Sequence, residues 1–360
     1  MTGIGLVNAH THLYSGLVPL GMPEPRERPA DFLQILERVW WRLDRALDER
    51  TLDAAARLYV AGALLHGTTV LVDHHESPLF IEGSLDVIAD ACEDLGIRAV
   101  LCYGATERNG GRDEATRGLA ECHRFIRSNR RALVRGAVGL HASFTVSDDT
   151  IRDAGDLCRD LGAVLHVHVA EDRADLEDAV RRGYRGPIER LEALGALPAG
   201  SILAHGVHLD AAQVRRADEL GCWIVQNPRS NRHNGVGYPY ALGASRRVAV
   251  GTDGFVSDMR EEWAALAAEA TAHGEDAGVA AERASAGPRL VADLWGSPGG
   301  ASADAELMGA CAMTPEGVKH LSLAGRQLVR DGELQTASIE AIRAEAREAA
   351  ARLWIRLAEL

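Results

Sequence analysis

The amino-acid sequence predicts an α/β fold, an eight-stranded (β/α)8 TIM barrel, and three observations lead to it. Short apolar runs rich in β-branched residues recur along the chain, and a longer stretch with helical spacing follows them. Eight such runs can be counted, which is the strand number of the barrel. The length of 360 residues suits one large barrel, although two ordinary domains would fit it as well.

The eight runs set the order of the predicted strands. They lie near Gly3–Ala9, Thr68–Asp73, Ile97–Tyr103, Val134–His141, Ala163–Val169, Ser201–His205, Cys222–Asn227 and Arg247–Thr252. A helix is predicted between the first two runs, because Asp31 and Gln34 resemble a capping box ahead of residues that are apolar on one helical face. Another helix is predicted from about Arg260 to His273, and the Ala/Gly/Ser/Pro-rich passage after it is expected to be a loosely structured connection.

The pattern near the carboxyl end differs from that of the barrel. Val318–Val329 and the turn-like residues 330–332 predict a strand or hairpin, and apolar residues between Ile339 and Trp354 line a final helix. We therefore expect a barrel over residues 1–300, a remnant β segment over residues 301–335, and a carboxyl-terminal helix over residues 336–360 that packs on the barrel.

Composition argues against several kinds of partner. The chain has 39 basic and 52 acidic residues, a formal charge of −13, and acidic residues are interspersed among the arginines, which argues against nucleic acid. No apolar run approaches the roughly 18 to 20 residues that span a bilayer, and the amino terminus lacks a secretory pattern. We therefore expect a cytoplasmic protein without a membrane partner, whose six cysteines are reduced and buried.

Histidines and carboxylates cluster at the predicted ends of strands, where barrel enzymes place their active sites. His10 and His12 are two residues apart on the first strand, so both imidazoles can point the same way. A second pair closes the fifth strand, where Glu171 follows three residues after His168. His205 ends the sixth strand and Asp253 follows the eighth. Three imidazoles and a carboxylate are a reasonable ligand shell for zinc or iron.

Each of these patterns has a simpler interpretation. A lone His-x-His on an apolar strand is more often a structural pair than a site, and Thr252-Asp253-Gly254 alone is usually a turn. The combination favours the metal site, because four such elements occur in chain order at the ends of strands.

The chain resembles the amidohydrolase superfamily, in particular its metal-dependent aminohydrolase and deaminase branch. The motifs that carry the resemblance are Asn8-Ala9-His10-Thr11-His12, His166-Val167-His168-Val169-Ala170-Glu171, Ala204-His205-Gly206-Val207-His208, Asn227-Pro228-Arg229-Ser230-Asn231 and Gly251-Thr252-Asp253-Gly254. The resemblance implies His10, His12, His168 and Asp253 as metal ligands, and Glu171, His205 and Asp253 as catalytic residues. Trp40-Trp41-Arg42-Leu43-Asp44 and Asp73-His74-His75-Glu76-Ser77-Pro78 further resemble putative aminohydrolases associated with purine degradation.

The resemblance also implies one divalent metal ion per chain, with zinc favoured over iron. Two-metal members commonly bridge their ions with a carboxylated lysine from the fourth strand, whereas Lys319 is the single lysine of this sequence. The implied reaction is hydrolytic deamination of an amino-substituted purine-, pterin- or triazine-like heterocycle by metal-activated water. Opening of a cyclic amide or amidine ring by the same site is the alternative, and a non-catalytic metal-binding protein is a third, less favoured possibility.

Candidate substrate contacts lie around the predicted barrel mouth. His141 resembles a substrate-contacting histidine of the family, and Trp40, His74 and Asn231 complete the predicted set. Trp41 is the alternative to Trp40, because adjacent residues of a helix face different directions and one of the two can belong to the core. Alternation along the strand likewise lets only one of His74 and His75 point inward. We expect a homodimer acting on a small heterocyclic molecule.

One feature departs from the family pattern. Relatives carry some fifty or more residues before the first His-x-His strand, and these form a small β-sandwich with the carboxyl-terminal segment. His10 lies only nine residues after Met1 here. We therefore expect a reduced or missing β-sandwich domain and a hairpin near residues 318–334 without its usual partner strands, through domain loss or a start codon assigned too late.

Overall fold

A computed structural model describes residues 2–315 and 317–360 of the chain. Its strands are β1 (Thr2–Ile4), β2 (Leu6–Thr11), β3 (Thr68–His75), β4 (Arg98–Ala105), β5 (Val134–Gly136), β6 (Val138–Ala142), β7 (Leu165–Val169), β8 (Ile202–His205), β9 (Trp223–Gln226), β10 (Val248–Val250), β11 (Ala310–Thr314), β12 (Gly317–Leu323), β13 (Arg326–Arg330) and β14 (Glu333–Leu334).

The α-helices alternate with the barrel strands and continue beyond them. They are α1 (Phe32–Ile35), α2 (Trp41–Ala46), α3 (Glu49–Leu65), α4 (Ser84–Leu95), α5 (Arg112–Ser128), α6 (Asp148–Leu161), α7 (Arg173–Arg181), α8 (Pro187–Ala193), α9 (Ala211–Glu219), α10 (Pro228–Asn234), α11 (Met259–Ala272), α12 (Ala277–Ala284), α13 (Gly287–Trp295), α14 (Ala301–Met308) and α15 (Ile339–Glu359). Short 3₁₀ segments cover Leu13–Leu20, Ser143–Thr145 and Leu242–Ala244, and a π-helical turn covers Leu36–Trp40.

The larger sheet is the predicted barrel. Its parallel strands follow the order β10-β9-β8-β7-β6-β4-β3-β2, and β5 pairs with β4 beside this path. The two ends of the path meet at a parallel bridge between Thr11 and Asp253, where the backbone N–H groups of Thr252 and Asp253 both donate to the carbonyl of His10 at 3.0 Å. The prediction of an α/β barrel is confirmed.

Gly251 permits this closure. A Cβ atom at this position would lie 2.6 Å from the carbonyl oxygen of His10, so any side chain would push β10 away from β2. The structural role of this glycine is therefore a close approach of two backbones.

Two predicted strands are split in the structure. The fourth run divides into β5 and β6, and the first run divides into β1 and β2 around Gly5. Strand β1 leaves the barrel altogether, because Thr2 and Ile4 pair antiparallel with Ala312 and Ala310 of β11.

The smaller sheet corrects the expectation of an isolated hairpin. It has five strands in the order β1-β11-β12-β13-β14, and the amino-terminal strand supplies one of its edges. Apolar residues of the sheet, including Leu321 and Leu328, share one core cluster with helices α3, α4 and α15. The apolar face of the smaller sheet is therefore covered by these helices.

The connection after β10 also differs from expectation. Helices α12, α13 and α14 occupy most of the Ala/Gly/Ser/Pro-rich passage, because Pro288 lies in the first turn of α13 and Asp276 caps α12 through its side chain. The predicted helix over 260–273 is present as α11.

Half of the predicted capping box at Asp31 is present, since the Asp31 carboxylate accepts from the N–H of Gln34 at 2.9 Å, whereas the Gln34 side chain accepts from the N–H of Ala30 at 3.1 Å. The helix that follows is interrupted by the π-helical turn at Leu36–Trp40 and continues as α2. Such turns are rare and often occur at functional sites. Among the helices described, none has the length and apolar character needed to cross a membrane. All six cysteines are buried free thiols.

Candidate metal centre and active site

Histidines from two strands meet one carboxylate at the carboxyl end of the barrel. The Nε2 atom of His12 lies 2.9 Å from Oδ1 of Asp253, and Nε2 of His10 lies 3.5 Å from the same oxygen. His168, from β7, brings its Nε2 to 3.3 Å from that of His12. The structure therefore brings together the four residues predicted as metal ligands.

Three of these residues, His10, His168 and Asp253, form a group with His205 that has the donor set and spacing of a cation site. Ligand atoms of His10, His168, His205 and Asp253 all lie within 4.8 Å of one another. The Nε2 atom of His10 is buried and has no hydrogen-bond partner among the described residues. Because an unpaired buried nitrogen is costly, this atom fits a bound divalent ion.

Neighbouring backbone groups orient two of the imidazoles. Nδ1 of His12 donates to the carbonyl of His74 at 2.5 Å, and Nδ1 of His168 donates to the carbonyl of His141 at 2.6 Å. Nδ1 of His10 lies 2.9 Å from Nε2 of His166. In each ligand the Nδ1 contact leaves Nε2 free to face the site, which is the usual arrangement around a protein-bound metal.

Burial keeps most of these imidazoles neutral, as ligands must be. It lowers the pKa of His10 to about 3 and that of His168 well below the ordinary value. Burial opposes the charged form of His12 as well, but the hydrogen bond to Asp253 and the charges of nearby carboxylates together outweigh it and raise the pKa of His12 to about 9. A proton on His12 thus occupies the position next to Asp253 where a cation would bind.

Glu171 and His205 lie beside this cluster. Oε2 of Glu171 is 3.4 Å from Nε2 of His205. Burial and the nearby Asp253 carboxylate raise the pKa of Glu171 well above its usual range. Burial acts on Asp253 too, but the neighbouring imidazoles of His10 and His12 outweigh it and hold the pKa of Asp253 well below its own. Two neighbouring carboxyl groups are thus pushed toward opposite protonation states, a pattern that suits one as acid and the other as base.

Helix α10 supports all three predicted catalytic side chains. Ser230 donates to Oδ2 of Asp253, Asn234 donates to Oε1 of Glu171 at 3.3 Å, and Oδ1 of Asn231 accepts from Nδ1 of His205 at 3.0 Å. Ser230 and Asn234 were missed by the sequence analysis. Their spacing of four residues on a helix was the available signal.

The backbone is unusual where these side chains leave their strands. His205 and Asp253 have positive φ angles of 77° and 53°, and Ala170, between His168 and Glu171, has a φ of 51°. Non-glycine residues adopt this region uncommonly, at a cost of about 1–3 kcal/mol each, and they concentrate at functional sites.

A cavity opens over the cluster, with an empty space of about 640 Å³ that includes its open mouth. Its lining residues are His12, Tyr14, Phe32, Leu36, Trp40, Trp41, Asp44, Glu76, His141, Ala142, Phe144, His168, Ala170, Glu171, Asp172, Asp175, Asn234, Asp253 and Gly254. The predicted contacts His141 and Trp40 are among them. Both tryptophans line the cavity, although the sequence analysis allowed one of them to belong to the core.

Two predicted substrate contacts have other positions. His74 and Asn231 are absent from the described residues that line the cavity. The side chain of His74 points into the barrel as expected, but its Nε2 donates to the carbonyl of Leu140 at 3.0 Å and its Nδ1 lies 3.0 Å from Glu76. Oδ1 of Asn231 accepts a hydrogen bond from Nδ1 of His205. Both residues therefore support other side chains, and Glu76, which the sequence analysis did not select, lines the cavity.

Comparison with known sequences places these features in a family. The family profile described as "Amidohydrolase family" matches residues 3–287. The chain is 30% identical over 267 residues to a 5'-deoxyadenosine deaminase of Methanopyrus kandleri, which covers 72% of this chain and 59% of that protein. It is 31% identical over 271 residues to an 8-oxoguanine deaminase of Pseudomonas aeruginosa, which covers 71% of this chain and 60% of that protein. The chain thus spans about three fifths of these two relatives.

A solved structure shares the whole fold. An adenosine deaminase from Xanthomonas campestris with bound zinc superimposes with a TM-score of 0.80 at 23% identity, covering 98% of this chain and 85% of that one. This similarity extends the resemblance in fold to the smaller sheet and the last helix.

Proposed function

The chain belongs to the amidohydrolase family, and on this premise we propose that it catalyses hydrolytic deamination of an amino-substituted N-heterocycle. The observation that carries the proposal is the placement of Glu171, with its raised pKa, beside His205 and the ionised Asp253 on the wall of one cavity. A binding site alone does not require an acid and a base with opposed pKa shifts.

We propose His10, His12, His168 and Asp253 as ligands of one divalent metal ion, in a family that is metal-dependent. Zinc is the favoured ion, because three imidazoles and one carboxylate suit it and a structure of similar fold binds zinc. When bound, the ion supplies a Lewis acid that lowers the pKa of a water molecule in the site.

The side chains account for the proton movements of the reaction. Asp253 accepts the proton of the attacking water, whose oxygen forms a bond to the carbon that carries the amino group. His205 orients that water through Nε2, because its Nδ1 is engaged by Asn231. Glu171 donates a proton to the ring nitrogen next to the reacting carbon. The amino group then takes the proton held by Asp253 and leaves as ammonia, while the hydroxyl on the carbon returns a proton to Glu171 and becomes the carbonyl of a lactam.

The cavity walls supply the proposed substrate contacts. Trp40 offers a flat apolar face for a heterocycle, and its ring lies close to Gly254, where a Cβ would be 2.9 Å from the Cη2 atom. His141 has its Nδ1 3.0 Å from Thr145 Oγ1, which fixes the ring so that Nε2 remains available for a ligand.

Ammonia release from the purified, metal-loaded protein tests this function. The panel comprises amino-substituted purines, pterins and triazines, and Glu171→Gln serves as a catalytically impaired control. Ammonia released by wild-type protein alone, with a product one mass unit heavier, would support deamination. A product heavier by one water without ammonia would instead identify ring opening, and no turnover of any compound would contradict the proposal.

A further inference from the structure

A second group of polar side chains lies on a wall of the cavity that contains none of the proposed metal ligands. Trp41 and Asp44 line the cavity from α2, and Arg108 lies behind them. Nη2 of Arg108 is 2.9 Å from Oδ2 of Asp44, and these side chains are only 6% and 2% exposed. The guanidinium also lies over the Trp41 ring, 4.8 Å from its centre. Arg108 thus contacts both other side chains, and we call the three the Asp44 group.

Each member of the Asp44 group retains one polar atom without a partner. Oδ1 of Asp44, Nη1 of Arg108 and Nε1 of Trp41 are buried and have no hydrogen-bond partner among the described residues. Burial also raises the pKa of Asp44 to about 7, although Arg108 opposes the shift. Leaving such atoms unpaired is unfavourable, and buried polar groups in proteins nearly always have partners.

Neighbouring polar groups of the cavity have partners within the protein. Oε2 of Glu76 accepts from the hydroxyl of Tyr14 at 3.4 Å, and its Oε1 lies 3.0 Å from Nδ1 of His74 without making a hydrogen bond. Asp175 accepts from the hydroxyl of Ser143 and from the N–H of Ala170. Apart from Oε1 of Glu76, the buried polar atoms that lack a partner among the described residues lining this cavity therefore belong to the Asp44 group.

We propose that the Asp44 group determines substrate specificity by binding an adjacent hydrogen-bond donor and acceptor on the heterocycle or its substituent. A ligand N–H or O–H donates to Oδ1 of Asp44, and a ligand oxygen accepts from the indole N–H of Trp41. Arg108 acts as a positioning residue that holds Asp44. This inference rests on the proposed function in one respect: deamination identifies the bound ligand as a substrate.

Two kinds of substrate carry such a pair. An oxo-heterocycle presents the N–H and C=O of a lactam, and a nucleoside presents ribose hydroxyls, each of which both donates and accepts. The chemistry recognised is the same in both cases, so the probes must distinguish the sources.

Deamination products make suitable probes, because they contain no amino group and do not turn over. Hypoxanthine is the parent base, 8-oxohypoxanthine adds a lactam at N7 and C8, and 5′-deoxyinosine adds a ribose. Their affinities are measured by titration calorimetry with metal-loaded protein at pH 8, where Asp44 is ionised. We expect one of the two substituted probes to bind roughly tenfold or more tightly than hypoxanthine, as one charge-assisted hydrogen bond provides.

Two variants assign that preference to the Asp44 group. Asp44→Asn keeps the shape of the side chain and removes its charge, and we expect it to abolish the preference while hypoxanthine binding changes by less than about twofold. Trp41→Phe keeps an aromatic ring and removes only the indole N–H, and we expect a loss of about three- to tenfold for the preferred probe. Glu37→Gln, an exposed change on the preceding helical turn, is the control and should alter nothing.

Each outcome decides the inference. A preference for 8-oxohypoxanthine identifies a lactam, and a preference for 5′-deoxyinosine identifies ribose hydroxyls. Equal affinity of wild-type protein for all three probes, or an equal loss for all three in Asp44→Asn, would overturn the proposal. Binding is read without turnover, so a protein that releases no ammonia but shows the preference would refute the deamination alone.

Discussion

Two strands of the barrel carry the same His-x-His pattern, and the structure uses the two pairs differently. In β2 both members face Asp253, since His10 and His12 have their Nε2 atoms 3.5 and 2.9 Å from its Oδ1. In β7 only His168 reaches this cluster, while His166 contacts the Nδ1 atom of His10 at 2.9 Å. Alternation along a strand puts both residues on one face, but it does not say which layer of the barrel each one reaches.

The largest effect is expected from removing one proposed ligand of each pair. His12→Ala and His168→Ala should both lose the metal ion, because each removes an imidazole whose Nε2 lies in the cluster. The loss of metal affinity should exceed the roughly 10–100-fold that supporting residues contribute. Elemental analysis after gel filtration measures it, with circular dichroism as the control for folding. One metal ion per chain retained in either variant would remove that residue from the ligand set.

A smaller effect is expected from replacing Glu171, the acid that follows the histidine pair of β7. Glu171→Gln should lower turnover by about 10²–10⁴-fold, because it removes a proton donor next to His205. Its metal content should remain that of wild-type protein, unlike the ligand variants. Steady-state kinetics and metal analysis on the same preparation separate the two cases. Turnover within a few-fold of wild type would exclude Glu171 from the proton transfers.

The smallest effect concerns the supporting member of the β7 pair. His166→Gln should weaken metal binding by roughly 10–100-fold, because it disturbs the contact that orients His10, yet turnover at saturating metal should change little. Competition with a chelator measures the affinity. His75→Gln is the matched control, since His75 is also fully buried but contacts Ser77. Equal loss in both variants would show that burial, and not the contact with His10, is responsible.

The sequence revealed the barrel strands and the ligand candidates because both follow local rules. Runs of β-branched residues locate strands, and strand ends of a parallel barrel meet on one side. The same reasoning could not assign His74 and Asn231, since both depend on which atom lies nearest across the barrel. The metal identity and the homodimer stay predictions.

Other features were invisible because they join distant segments. The Asp44 group combines α2 with the loop after β4, and no short motif links Asp44 to Arg108. Strand β1 consists of only three residues, too few for a recognisable period, and exists because β11 offers it a paired edge. Contacts between distant segments therefore determine the pairing of β1 in the smaller sheet and one wall of the cavity.

The backbone acceptors of His12 and His168 have an evolutionary consequence. The partner of each imidazole is a carbonyl, at positions 74 and 141, and a carbonyl is present whichever side chain occupies the position. The side chains at these two positions can therefore vary while the ligand tautomers stay fixed. The orientation of two proposed ligands is thus independent of the side chains beside them, and position 141, which lines the cavity, is free to diversify toward new substrates.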